Sequence, residues 1–141
     1  MEKPREFPLC AEKSPSLRVL IVDDEPLIRW SLAETLSESG HTVTEAGDGE
    51  TALRLLEASS TFDVIVLDYR LPDSNSLALL SSVRQAAPAS AVILMTAFGS
   101  SEIVDGALDL GAYQVVPKPF EVHEMAALVQ RAYASLGKRP Q

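Results

Sequence analysis

A chain of 141 residues has the length of one domain. With 46% apolar and 23% charged residues it has the balance of a folded globular protein and not of a disordered one. A formal net charge of −8 with no offsetting basic patch argues against direct nucleic-acid binding, because such a chain is repelled by phosphate backbones.

Residues 1–16 carry Pro4, Pro8 and Pro15 among charges without a sustained period, so they are expected to form a flexible leader. Glu2, Glu6 and Glu12 interrupt any apolar stretch there, which excludes a signal-peptide core. No run approaches the ~20 apolar residues of a membrane span. The single cysteine, Cys10, cannot form an intramolecular disulfide. The expectation is a cytoplasmic protein with no membrane partner.

Residues 17–22 read as a buried strand ending in Asp23-Asp24-Glu25. Pro26 suits a first helical turn, and Leu27, Ile28, Leu32 and Leu36 follow at helical spacing until Gly40. Residues 41–46 alternate and are rich in β-branched side chains, as an edge strand would be. Asp48-Gly49 opens a helix with Ala52, Leu53, Leu55 and Leu56 inward, broken at Ser59-Ser60. Val64-Ile65-Val66-Leu67 reads as a strand buried on both faces, followed at once by Asp68 and a sharp turn at Pro72.

Beyond that turn a helix is expected over residues 76–86 with Leu77, Leu80 and Val83 inward, then a fourth strand over 91–95 and a small-residue loop from Thr96 to Ser100. A helix with Ile103, Val104, Ala107, Leu108 and Leu110 on its apolar side runs to Gly111, weakened internally by Gly106. Residues 113–116 make strand five. After Pro117-Lys118-Pro119, a final helix carries Met125, Val129, Ala132 and Leu136 as its stripe and stops at Gly137. Five βα units without a composition break specify an α/β fold, a parallel sheet with helices on both faces.

In such a doubly wound sheet the functional crevice lies beyond the carboxyl ends of the strands where the order reverses. If the order is the flavodoxin-like 2-1-3-4-5, Asp23, Asp24 and Asp68 meet in one crevice. Alone, an Asp after a strand suits a turn. Three carboxylates together repel, and a divalent cation relieves that repulsion. Oxygen-only ligands point to Mg²⁺ or Mn²⁺, since the chain offers no Cys or His cluster and His41 and His123 stand singly. Thr96 and Lys118 follow strands four and five, where a hydroxyl and an ammonium suit a phosphoryl group.

Four separated stretches carry a resemblance: Ile21-Val22-Asp23-Asp24-Glu25, Val66 to Pro72, Met95-Thr96-Ala97, and Gly111-Ala112-Tyr113 with Pro117-Lys118-Pro119-Phe120. The chain resembles the receiver domain of bacterial two-component response regulators over residues 17–136, most of all the nitrogen-regulation type that controls sigma-54-dependent activators. The resemblance implies a (βα)5 three-layer sandwich, sheet order 2-1-3-4-5, with residues 137–141 as a tail. It implies that Asp68 accepts a phosphoryl group from a sensor histidine kinase or phosphotransfer protein, that Asp23, Asp24, Asp68 and the Arg70 backbone carbonyl hold Mg²⁺, and that Thr96 and Lys118 grip the phosphoryl oxygens. Thr96 and Tyr113 would act as switch residues. The face of the helix after Gly99, strand five and the last helix would then alter its affinity for a downstream target, an effector domain or a second copy of the chain. The Lys118–Pro119 bond is implied to be cis, and no organic cofactor is expected.

Relatives usually have a glycine after the Pro72 turn; this chain has Asp73-Ser74-Asn75-Ser76, where Asn75 can adopt a left-handed conformation and Ser76 can serve as an N-cap. Arg70 stands where a phosphatase of the haloacid dehalogenase class would carry its second carboxylate, so the expectation is a signalling switch with only slow self-dephosphorylation, not a turnover enzyme. A flavodoxin-like nucleotide binder is opposed by the acids after strand one. A receiver-like docking module that works without phosphorylation remains the alternative. The short tail fits either a stand-alone receiver or the first piece of a longer regulator.

Overall fold

A computed structural model describes residues 15–58 and 61–136. Most of the expected leader with Cys10, the break at Ser59-Ser60 and the tail from Gly137 lie outside the described residues. Strands β1 (Arg18–Val22), β2 (Thr42–Ala46), β3 (Val64–Asp68), β4 (Ala91–Thr96) and β5 (Gln114–Pro117) alternate with helices α1 (Pro26–Glu38), α2 (Gly49–Ala58), α3 (Ala78–Ala86), α4 (Ser101–Asp109) and α5 (Val122–Leu136). All neighbouring strands are parallel and the sheet order is β2-β1-β3-β4-β5, as expected for the doubly wound fold. No helix among the described residues is long and apolar enough to cross a membrane.

The central strands are buried on both faces because residues 19–22, 64–67 and 91–95 are unbroken apolar runs, and alternation then sorts the side chains between two layers. Leu20, Val22, Ile65, Leu67, Val92 and Leu94 face α2, α3 and α4. Val19, Ile21, Val64, Val66, Ile93 and Met95 face α1 and α5, whose Leu32, Leu36, Met125 and Val129 complete the second core. Both β2 and β5 are edges and only partly buried, so strand five shares the character expected of strand two.

Three helices differ from their expected faces. In α1, Leu32 and Leu36 are buried, but Leu27 is 73% exposed because it lies on a flank that no neighbour among the described residues covers. Helix α3 begins at Ala78, with Leu77 at the N-cap position and Leu79 buried in addition to Leu80 and Val83. Ser76 is therefore not the N-cap, yet its hydroxyl accepts from the Ala78 N–H at 3.2 Å and satisfies one free donor of the first turn. In α4 only Ala107 is fully buried, and Leu108 and Leu110 are exposed: the narrow strip of sheet beneath accommodates one row of side chains. Gly106, expected as a weak point, has a packing reason. A Cβ there would lie 2.7 Å from Leu77 Cδ1, so its absence lets α3 and α4 approach.

His41 precedes β2 and is buried; its Nδ1 accepts from the Leu17 N–H at 3.1 Å, and Nε2 has no hydrogen-bond partner among the described residues. Burial pushes the imidazole below its ordinary value, against the opposing charge of Asp63. An unfolded chain takes up this proton near pH ~6.5 while the folded one resists it, so folding stability should fall as pH drops below that value and level off below the folded pKa. Urea titrations at stepped pH should show this slope in the wild type and not in His41→Asn, which keeps an acceptor for Leu17.

Candidate functional site

Strand register brings the chemistry to one edge of the sheet. Val22 pairs with Leu67, Asp68 with Met95 and Thr96 with Pro117, so the residue after each central strand emerges at the same level. The Tyr69 N–H donates to Met95 O at 2.8 Å and the Lys118 N–H to Thr96 O at 2.8 Å, which extends the ladder past the strand ends and fixes the loops that follow. The crevice opens where the order reverses, beside β1 and β3. It encloses about 540 Å³, with Glu25, Asp68, Arg70, Asn75, Thr96 and Lys118 among its walls.

Asp23 and Asp68 are buried and Asp24 is exposed, and each offers a carboxylate oxygen within 4.8 Å of the other two. Asp23 Oδ1 accepts from the Glu25 N–H at 2.8 Å. Its buried Oδ2 lies 3.1 Å from Lys118 Nζ but has no hydrogen-bond partner among the described residues. Three hard oxygen donors, one of them unsatisfied, fit a small divalent cation. Asp68 Oδ1 accepts from the Arg70 N–H at 3.2 Å and Oδ2 from Lys118 Nζ at 2.9 Å.

The electrostatics follow from burial. Desolvation raises the Asp68 carboxyl above its ordinary value, the Lys118 hydrogen bond opposes this, and the nearby Asp23 charge adds to the rise. For Lys118, burial alone would lower the ammonium, but its bond to Asp68 and the charges of Asp23 and Asp68 hold it well above its ordinary value. The two directions agree: the ammonium lies among several negative charges and is held in its charged form, while the buried Asp68 is only partly compensated by it.

Thr96 is 2% exposed, and its hydroxyl accepts from the Phe98 N–H at 3.1 Å and donates to Phe98 O at 3.3 Å, tying it to the loop before α4. The expected residues Asp23, Asp24, Asp68, Thr96 and Lys118 thus converge, and Arg70 stands on the rim. Tyr113 does not line this crevice; it is half-buried at the start of β5 against the second core.

Other residues enter without having been singled out. Glu25 reaches Lys118 Nζ at 3.1 Å, and its place at the end of an acidic triplet was the available signal. Phe98 is 68% exposed with the Arg70 guanidinium 5.8 Å from its ring centroid, a pairing that sequence spacing does not announce. The unusual loop closes through paired backbone bonds between Leu71 and Ser74, with Pro72 and Asp73 at the corner. Asp73 then accepts from the N–H groups of Gly49 at 2.9 Å and Glu50 at 3.0 Å, capping α2 from across the crevice wall. The Lys118–Pro119 bond is cis, as the resemblance implied.

The sequence profile of the response regulator receiver domain matches residues 19–130, a span that includes all of these site residues. This chain belongs to that family. It is 39% identical over 123 residues to the DNA-binding transcriptional regulator NtrC of Escherichia coli K12, which covers 87% of this chain and 26% of that protein. The chain therefore spans about a quarter of that relative's length. Among solved structures, a CheY-like receiver domain from Methanospirillum hungatei superimposes with a TM-score of 0.82 at 26% identity, covering 88% of this chain and 98% of that one. The beryllofluoride-activated NtrC4 receiver domain dimer gives 0.78 at 33% identity, covering 84% and 98%.

Proposed function

We propose that this receiver takes a phosphoryl group onto Asp68 from a phosphohistidine of a sensor kinase or phosphotransfer protein. The observation that carries this is the Lys118 ammonium, buried 2.9 Å from Asp68 Oδ2 at the switch point of the sheet, with the Thr96 hydroxyl on the adjoining strand end. One Asp68 oxygen attacks phosphorus as the phosphorus–imidazole bond breaks, and the leaving imidazole keeps the electron pair and is reprotonated from solvent. Transfer through a loose transition state needs in-line placement and charge neutralisation, not a separate acid or base.

Asp23, Asp24, Asp68 and the Arg70 carbonyl would hold Mg²⁺, or Mn²⁺ in its place. When bound, the metal supplies positive charge at the transferred oxygens. Lys118 and Thr96 then exchange their present partners for phosphoryl oxygens. Once Thr96 releases the Phe98 backbone, the loop before α4 is free to move and Tyr113 to take a new rotamer, which changes the α4-β5-α5 face presented to a downstream target or effector domain. The same face is the one proposed for a homodimer, and the beryllofluoride-activated NtrC4 receiver domain is itself a dimer. The chain would act as a signalling switch, catalysing only its own phosphorylation and slow self-dephosphorylation.

The test is incubation with radiolabelled phosphorylated kinases, and with a small acyl phosphate donor, with and without Mg²⁺. Label on the chain that requires Mg²⁺ and is lost in hydroxylamine, as an acyl phosphate should be, is the expected result. No label from any donor would favour a docking module that works unphosphorylated.

A further inference from the structure

Asp23 is held at nearly every polar group it owns. Its N–H donates to Ala46 O at 3.0 Å and its Oδ1 accepts from Glu25, which leaves Oδ2 for the crevice. The remaining group, the backbone carbonyl, accepts from Arg29 Nη1 at 2.5 Å. Arg29 lies in the first turns of α1, and helical side chains lean toward the N-terminus, so its guanidinium comes back over the end of β1. The other arm of the fork is fixed: Nε donates to Glu45 Oε1 on the edge strand at 3.0 Å. Gly47 lies alongside, and a Cβ there would stand 3.4 Å from Arg29 Nη1, in contact with the guanidinium.

A half-exposed Arg–Glu pair by itself is worth little. The link to a main-chain carbonyl is different in kind. It restrains the peptide plane between Asp23 and Asp24, the piece of backbone from which both carboxylate side chains branch.

We propose that Arg29 is a positioning residue for the acidic pair, holding Asp23 and Asp24 in the arrangement that takes up a divalent cation. This rests on the phosphoacceptor reading above. The sign of the effect discriminates. Arg29 carries positive charge beside an acidic site, so if charge alone mattered, removing it would tighten Mg²⁺ binding. If its hydrogen bonds orient the site, removing it weakens binding.

Mg²⁺ affinity of the intact chain, measured by calorimetry and by the shifts of the Asp23 and Asp24 amides, reads this directly. Arg29→Ala should weaken Mg²⁺ binding by about tenfold, the scale found when a partner that orients a metal ligand is lost. In phosphotransfer the Mg²⁺ half-saturation should move more than the maximal rate. Glu45→Ala, which removes only the outer anchor from an exposed edge, should shift binding the same way by less and guards against a folding defect in Arg29→Ala. Arg29→Ala with unchanged or tighter Mg²⁺ binding overturns the inference while leaving the phosphoacceptor reading intact. A wild-type chain that binds no Mg²⁺ overturns both.

Discussion

Asp68→Asn is expected to abolish phosphoryl acceptance and, in the metal-free protein, to raise folding stability by about 1 kcal/mol, the usual scale for relieving a site held in unfavourable charge. The first half follows from removal of the attacking oxyanion. The second follows from burial: Asp68 is 5% exposed, and desolvation together with Asp23 pushes its carboxyl up. Asparagine retains the oxygen that accepts from the Arg70 N–H and removes one of the crowded negative charges. Lys118 keeps Asp23 and Glu25 as counter-ions.

The pH dependence separates this from a generic effect of substitution. Between the unfolded carboxyl value and the raised folded one, the native wild type binds a proton that the unfolded chain does not. The Asp68 contribution to wild-type stability therefore rises as pH falls through that window. The variant lacks this gain, so its advantage in urea should be largest near neutral pH and shrink toward acid. A variant that still takes up label, or whose urea midpoint drops at neutral pH, contradicts the assignment.

The central fold was legible because β1, β3 and β4 each carry an unbroken apolar run, residues 19–22, 64–67 and 91–95, a pattern that suits a strand covered on both faces. The acidic ends of β1 and β3 were legible for the complementary reason, since ionised groups do not continue a core. Helical faces were less so. Leu27, Leu108 and Leu110 obey helical spacing and are nonetheless exposed, because spacing says which residues share a face and not how wide a strip the neighbouring layer covers. The site residues separated by loops were the hardest. Arg29 and Glu45 lie on α1 and β2, and Asp73 reaches the start of α2 some two dozen residues earlier. Such pairings depend on rotamers at the junction of three elements, and no local pattern encodes them.

The Asp73 cap also bears on the loop where this chain lacks the usual glycine. The paired bonds between Leu71 and Ser74 close the turn locally, and Asp73 anchors it to α2. At the position of that glycine stands Ser76, whose hydroxyl accepts from the Ala78 N–H. The wall of the crevice next to Asp68 is consequently tied to the layer of α2 and α3.

Lys118→Met is the substitution expected to damage both fold and function. Methionine keeps the apolar stem and deletes the charge from a position only 13% exposed, between Asp23 at 0% and Asp68 at 5%. Removing one partner of a buried ion pair leaves the other charge uncompensated, at a cost of about 3–5 kcal/mol. Stability of the variant should recover as pH falls and Asp68 takes up its proton, and it should recover at neutral pH on addition of Mg²⁺, which the undiminished carboxylates bind more tightly once the competing ammonium is gone. Phosphotransfer should not recover to the same degree. The ammonium meets charge that develops on the phosphoryl oxygens, and loss of one preorganised group of this kind lowers rates on the order of 10²-fold. Urea titration with and without Mg²⁺, run beside labelled transfer at saturating Mg²⁺, separates the two roles. Full restoration of both by Mg²⁺ would reduce Lys118 to a counter-ion of the crevice carboxylates, whereas restored stability with slow transfer identifies a cation that exchanges the carboxylate for the incoming phosphoryl group.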